Sequence, residues 1–575
     1  MKLIDTVRQN KLFFALMLAI LVTGTIIRFS DYAAEGYDMD AQNVLAAATY
    51  WYYPPYKVFP GMIYQEPPLG DIIIGAGCMA SGEDFSGTRE ITPLYFPNRA
   101  LLIGEPTTKA EGYCFFPIYL FSVIFLIIIA VMAGIMLDRI PALYMTAFVA
   151  YSPLLITWGR RVHVDIILWA ILALGILLLW LGYSAEPNSR SERKYFILSF
   201  IFMGLAGATK YTAGLYMASA PLLFIEKHRK ELLICLGRLS KALSLNVWEK
   251  HAAEKINAYT LKTLIYSTIA MAAAFLVPYK FSISNVLEML KVFTTQNRPG
   301  AGAAQFSWNF FKGIYAHFVY MNVFDSIILL SAIFTLIFII IKKDKGRMEK
   351  FVMYLMILQV LALTFVGDLL LGIGGVFRSV PFMFGMLLLM ALAISDRPYS
   401  ITKLFNVNKK YLYAFIIVYI IFSSYTIYSA PTKLRANDFV CYFNEKDCRE
   451  IIGTPQAKAT AEYLRPLLKE NETYLHGDFD STVYFYLRPE TSDILWQMIT
   501  YSTQKEGRRP TIPEYQQMFA ATGQKLRFAL LNPKDTPFED RKEFVRTYEP
   551  NHVLTARGIE LGYVYDLDNL KPRTT

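Results

Sequence analysis
The chain has 575 residues, 54% of them hydrophobic, 15% aromatic and only 18% charged, a balance too apolar for an ordinary soluble multidomain protein. Its net charge of +10 would suggest nucleic acid in a soluble protein. Here the basic residues collect in particular loops, so they read as topology signals and no nucleic-acid partner is expected.

Apolar runs at 12–27, 118–137, 166–181, 261–277, 327–341, 351–371, 383–394 and 411–427 recur along the first 430 residues. Several approach the ~20 residues that cross a bilayer as helix, and the shorter ones do so with their flanks. The first run is followed by Arg28, Phe29, Ser30 and Asp31, without a small-residue cleavage site, so it reads as a retained span. Between 29 and 115 four basic residues face eleven acidic ones, which places this large loop outside the cell or in a lumen. Eight Lys or Arg in 226–262, five in 341–350, and further basic residues in 188–194, 397–410 and the N-terminus belong to the cytoplasm. About eleven crossings, estimated from the length a bilayer requires, then leave the N-terminus cytoplasmic and the C-terminus extracytoplasmic.

The outer loop carries an aromatic and proline stretch at 50–56 and then Gln65-Glu66-Pro67-Pro68, a mixture that suggests short interfacial helices. The stretch 196–224 is apolar but interrupted by Lys210 among Gly204, Gly207 and Gly214. It reads as two helices that bend near Lys210 and return. After the last span, 430–575 is soluble-type sequence with an Asn471-Glu472-Thr473 sequon and strand-like pieces at 482–487 and 528–531, expected to form a small extracytoplasmic α/β domain. None of the five cysteines, Cys78, Cys114, Cys235, Cys441 and Cys448, pairs at the close spacing of zinc or thiol-redox motifs. Cys441 and Cys448 suit either a local disulfide or two free thiols.

In such a chain the informative residues are ionisable groups at apolar depth or on the wrong side of the charge rule, since each costs free energy unless it is used. Asp38 and Asp40, just beyond the first span, suit a general base, and capping the following helix accounts for them as well. Pro67 and Pro68 fix the backbone after Glu66 and aim its carboxylate, as a simple turn also would. Arg99 suits a phosphate contact or a snorkelling interface residue. Arg160 and Arg161 break the positive-inside pattern at an outer helix end, with Asp165 four residues after Arg161 and so able to pair with it. Lys210 lies within an apolar stretch and calls for an anionic partner or a polar cavity. Arg378 lies at an outer turn. Carboxylates that take a proton from a hydroxyl, beside cations that neutralise a departing phosphate, suit transfer from a phosphate-linked donor.

The order of the acidic pair after the first span, Pro-Pro-Leu-Gly at 67–70, Arg-Ala-Leu-Leu-Ile-Gly at 99–104, Ser-Pro-Leu-Leu at 152–155 with Arg and Asp, and Gly-Ala-Thr-Lys at 207–210 resembles the GT-C glycosyltransferases. More narrowly it is similar to the protein O-mannosyltransferase and aminoarabinose lipid A transferase group, and 377–381 resembles that group's late arginine and proline segment. The resemblance implies a GT-C-like helical bundle over 1–429, acting in an ER-type or plasma membrane, and a sugar donor on polyprenyl or dolichyl phosphate. It implies inverting transfer to a protein, lipid or glycan acceptor. Asp38 or Asp40 would match the base, Asp165 and Arg160 the span-end pair, Lys210 the phosphate-contacting lysine and Arg99 the loop arginine. Glu66 stands where the group commonly has His or Lys. Metal need stays open, because the carboxylates suit a divalent ion while the cations make one unnecessary, and no other cofactor is expected. An oligosaccharyltransferase-like enzyme is the nearer alternative; it lacks support in the absence of a Trp-Trp-Asp-Tyr-Gly segment. A lipid or solute transporter or flippase is the more distant one, and the outer clustering of the charges opposes it.

Overall fold
The computed structural model describes residues 10–29, 52, 67–82, 108–152, 155–156, 159, 163–210, 213–229, 232, 258–287, 323–361, 383–398, 400–429, 460–469, 471–475, 511–521, 523–531, 539–556 and 559–573. Helices dominate up to residue 429: α1 (Lys11–Phe29), α2 (Pro68–Met79), α3 (Thr108–Met136), α4 (Arg139–Tyr151), α5 (Asp165–Ser184) and α6 (Arg190–Gly207). There follow α7 (Gly214–Lys227), α8 (Ala258–Leu276), α9 (Val323–Ile341), α10 (Arg347–Leu361), α11 (Met383–Ala393) and α12 (Lys409–Ser429).

Among the described residues, five helical stretches are long and apolar enough to cross a membrane: Lys11–Phe29, Gly112–Met136, Asp165–Ser184, Tyr259–Tyr279 and Phe324–Ile341. Their outward faces are also apolar. On α9, Ile327, Leu330, Phe334, Phe338 and Ile341 are all exposed at helical spacing, and Leu18, Val22 and Ile26 repeat the pattern on α1. Stripes of this size would be a liability in water and are the lipid-facing side of an integral membrane protein. Helix α5 differs in being apolar and buried almost all round, the property of a central helix. It packs against α3 and α6.

The expected bend near Lys210 is present. Helix α6 starts on Ser189, whose hydroxyl accepts from the Glu192 N–H, an N-cap that satisfies an end donor, and it stops at Gly207. Helix α7 returns from Gly214, and the Glu192 carboxylate receives Lys227 Nζ at 2.6 Å and His228 Nε2 at 2.9 Å. The beginning of one helix is thus tied to the end of the other. A second buried polar link joins α4, α9 and α12, where Tyr144 donates to Asp325 Oδ1 at 2.8 Å and Tyr419 donates at 3.0 Å.

In the C-terminal part, β1 (Glu472–Leu475), α13 (Ile512–Ala520), β2 (Lys525–Leu531), α14 (Glu539–Thr547), β3 (Tyr548–Glu549), β4 (His552–Ala556), β5 (Ile559–Asp566) and β6 (Lys571–Pro572) are described. Four of the strands form a mixed sheet in the order β1-β2-β5-β4, with β1 parallel to β2 and the other pairs antiparallel. Side chains alternate across it from Phe528 to Leu531, and a register shift between the Leu526 and Phe528 pairings with β1 puts Leu526 on the face opposite Phe528. Phe528 and Leu530 face one buried cluster with Leu464, whereas Leu526, Ala529 and Leu531 face Tyr515 and Phe519 of α13 and Val545 of α14. The strand-like piece at 528–531 lies in β2; that at 482–487, with Cys441 and Cys448, lies outside the described residues.

Candidate functional site
Three of the segments singled out by sequence meet at one place. Pro67 stands ahead of α2 in extended backbone and Pro68 opens the helix, as proline does well at a first helical position. The next residue, Leu69, donates its N–H to Ala208 O at 2.9 Å, which fastens the start of α2 to the Gly-Ala-Thr-Lys connector. At Gly70 a Cβ would stand 2.5 Å from Val164 Cγ1 and 3.3 Å from Thr209 Cγ2. Only a residue without a side chain lets α2 come this close to the segments holding Asp165 and Lys210. Asp71 follows in the first turn of α2, 2% exposed.

Lys210 lies in the tight turn after α6. Its N–H donates to Ala206 O at 3.1 Å and its carbonyl accepts from Ala213 N at 3.1 Å, so the backbone is held on both sides. The ammonium Nζ reaches Asp165 Oδ2 at 2.8 Å. Asp165 opens α5, where a carboxylate is also favoured by the helix dipole, and it is fully buried. His163 Nδ1 contacts the same Oδ2, while Asp165 Oδ1 has no hydrogen-bond partner among the described residues. The anion that Lys210 calls for at this depth is therefore Asp165, 45 positions earlier in the chain. Arg161, the partner suggested by helical spacing, lies outside the described residues, as do Asp38, Asp40, Glu66, Arg99, Arg160 and Arg378.

Beneath Gly159 lies a buried arginine. Arg28, at the end of α1, is fully buried. Its guanidinium donates to Val149 O at 2.7 Å, Ala150 O at 2.9 Å, Gly24 O at 3.1 Å and Ser122 Oγ at 2.9 Å. The first two are end carbonyls of α4, which lack intrahelical partners. Ser122 in turn lies where a Cβ on Gly159 would come within 2.4 Å of its hydroxyl, so Arg28 and Ser122 form the floor beneath Gly159.

The loop around α2 is held at two further points. Tyr52, from the aromatic stretch, donates to Ile72 O at 2.9 Å. Cys78, near the end of α2, is joined to Cys114 of α3 by a disulfide, a pairing that sequence spacing did not anticipate. Among the described residues no three His, Cys, Asp or Glu side chains lie together as a metal site would require.

Sequence reading missed His163, Asp71 and Arg28. His163 stands two residues before Asp165, and Asp71 directly follows Pro-Pro-Leu-Gly in an otherwise apolar helix. Either could have been found by asking which polar side chains adjoin the motifs, whereas Arg28 looked like an ordinary flank of a span.

A Gly70→Ala variant tests the convergence. The added methyl drives α2 off Val164 at an overpacking cost of about 1–3 kcal/mol, so a lower melting temperature and a fall in any turnover are expected. Gly134→Ala serves as control, since nothing lies within 4 Å of a Cβ there. Equal melting of the two variants would show that α2 is not seated as described.

The class of protein defined so far is an integral membrane protein with a buried ion pair where helix ends and a proline-anchored segment meet. Residues 93–274, a stretch containing Arg99, Arg160, Arg161, Asp165 and Lys210, match the family model described as dolichyl-phosphate-mannose-protein mannosyltransferase, so the resemblance to the protein O-mannosyltransferase group is shown over that segment. No curated protein sequence matches the chain. Solved structures similar to it include the Saccharomyces cerevisiae protein O-mannosyltransferase Pmt1-Pmt2 complex bound to the sugar donor, at 16% identity and a TM-score of 0.33, with 52% of this chain and 36% of that chain covered. The alignment thus spans just over a third of the yeast chain's length. ArnT from Cupriavidus metallidurans bound to undecaprenyl phosphate is similar at 13% identity and a TM-score of 0.45, covering 97% of this chain and 98% of that one. The Archaeoglobus fulgidus oligosaccharyltransferase is similar at 11% identity and 0.44, covering 90% and 69%.

Proposed function
We propose that this protein is a GT-C type glycosyltransferase that moves a sugar from a polyprenyl- or dolichyl-phosphate donor to an acceptor hydroxyl on the extracytoplasmic face, with inversion. Asp38 or Asp40 takes the proton of the attacking hydroxyl as its oxygen bonds to the anomeric carbon. The bond from that carbon to the phosphate oxygen breaks, and the electron pair leaves with the phosphate. Lys210 neutralises the charge that builds there, with Arg99, Arg160, Arg161 and Arg378 as further cations and Glu66 as a further substrate contact. In this reading Asp165 is a positioning residue. Its carboxylate is fully buried against Lys210 and His163 and so fixes where the ammonium stands.

The observation that carries the proposal is the Lys210–Asp165 pair at the junction of 67–71, 163–165 and 208–210. It is supported by the match of 93–274 to a mannosyltransferase family, and by a disulfide between Cys78 and Cys114, which suits an oxidising compartment for the outer loop. We propose the same architecture that the charge rule suggests: about eleven crossings in 1–429, from the bilayer-length criterion, a cytoplasmic N-terminus, and 430–575 as an extracytoplasmic domain that helps to select the acceptor.

Dolichyl-phosphate-mannose is the first donor to test, beside undecaprenyl-phosphate sugars. The purified protein is expected to release labelled sugar from one of them, and one of Asp38→Asn and Asp40→Asn to lower that release by about 10²–10⁴-fold, the scale of a lost general base. If both variants turn over like the parent, the base lies elsewhere. Donor lipid moved across the bilayer with no sugar released would favour a flippase instead.

A further inference from the structure
A second cation-lined site lies at the opposite end of α5. The helix has 20 residues, Asp165–Ser184, about 30 Å at 1.5 Å per residue, which matches the ~30 Å hydrocarbon thickness of a bilayer. There a cavity of ≈ 480 Å³ opens between the ends of α3, α5, α9 and α10, lined by Trp180, Ser184, Lys342, Arg347, Glu349 and Arg397 among others. Three cations thus face one carboxylate. Lys342 Nζ lies 3.4 Å from that carboxylate, and Arg347 spends one N–H on Ser184 O at 3.0 Å, which leaves the rest of its fork for a ligand. Arg397 is an exposed residue of the cavity wall, and the buried Ser184 hydroxyl has no hydrogen-bond partner among the described residues.

The surroundings indicate which anion fits. The exposed stripe of α9 continues through Phe334, Phe338 and Ile341 to the residue before Lys342, and Met136 and Trp180 add apolar lining. A chain lying on that stripe would bring its polar end into the cavity. Basic pockets at the cytoplasmic end of helices hold phosphorylated lipid headgroups in this way, and guanidinium groups bind phosphoryl oxygens in bidentate fashion.

We infer that this cavity binds the phosphoryl headgroup of an anionic glycerophospholipid from the leaflet opposite the Lys210 site. The site is independent of the transfer reaction, because a full membrane thickness separates the two.

Trp180 supplies the readout. Delipidated full-length protein in detergent is titrated with brominated-chain phosphatidylglycerol and, separately, with phosphatidylcholine carrying the same chains, Trp180→Phe giving the background quench. Saturable quenching by phosphatidylglycerol at a concentration at least about ten-fold lower is expected from two or three cations at a headgroup. Arg397→Gln, at an exposed position, should reduce that preference several-fold with no change in melting temperature, and Arg347→Gln should do the same. Lys403→Gln, a cation away from the cavity, should leave it intact. Equal quenching by the two lipids, or a preference indifferent to Arg397→Gln, would overturn the inference. Saturable calorimetric binding of inorganic phosphate without lipid would assign the cavity to a soluble anion and overturn the lipid part as well.

Discussion
Lys210→Met is expected to destabilise the protein by about 3–5 kcal/mol, the consequence of leaving a buried carboxylate without its cation, and to lower transfer by about 10²–10³-fold, the scale of one lost donor to a developing oxyanion. The two effects have different origins, and a second substitution separates them. Asp165 is fully buried and its Oδ2 is the atom that Lys210 contacts at 2.8 Å, so Lys210→Met with Asp165→Leu removes both charges together. A buried ion pair replaced by apolar residues is often neutral for stability, so the double variant should melt near the parent. Its transfer activity should stay low, since nothing then neutralises the leaving phosphate. Thermal melting in detergent and sugar release from labelled donor measure the two quantities. A double variant that regains activity with its stability would reduce Lys210 to a structural cation and end the proposed mechanism.

Arg28→Leu should be nearly as damaging, by a different route. Arg28 bonds to three carbonyls and a hydroxyl contributed by α1, α3 and α4. A leucine would leave Val149 O and Ala150 O buried and unpaired, at about 1–3 kcal/mol for each unsatisfied group. The Ser122 hydroxyl beneath Gly159 also loses its donor, so the packing under Gly159 is weakened. A loss of at least about 3 kcal/mol in stability is expected, together with weaker donor binding. Arg28→Lys should recover only part of it, because an ammonium cannot span the three helices with a planar fork. Wild-type melting in Arg28→Leu would mean that these hydrogen bonds contribute nothing net.

The residues that announced the site did so because the bilayer is an unforgiving solvent. A lysine inside an apolar stretch, or two arginines at the outer end of a span, stands out against a background in which every other side chain is apolar, and Lys210 could be picked out on that ground alone. The return of the chain after Lys210 was legible for a related reason, since the apolar stretch 196–224 is interrupted there by a lysine among Gly204, Gly207 and Gly214. Asp165 and Arg161 show the limit. Helical spacing offered a partner four residues away, and the carboxylate is instead held by a lysine from another helix, because contacts between helices follow packing and not sequence distance.

Hydropathy, charge asymmetry and a few misplaced ionisable groups, all properties of single residues and their near neighbours, were enough to determine that the chain lives in a membrane, that it is mainly helical and which residues are costly to bury. Only the tertiary structure decided that Gly70 presses on Val164, that Lys210 finds Asp165, that Cys78 joins Cys114, that Arg28 closes three helices and that a second basic cavity lies at the far end of α5. Each of these depends on which helices become neighbours. That choice is made by the shape of side-chain surfaces summed over whole elements, and no local stretch of sequence contains it.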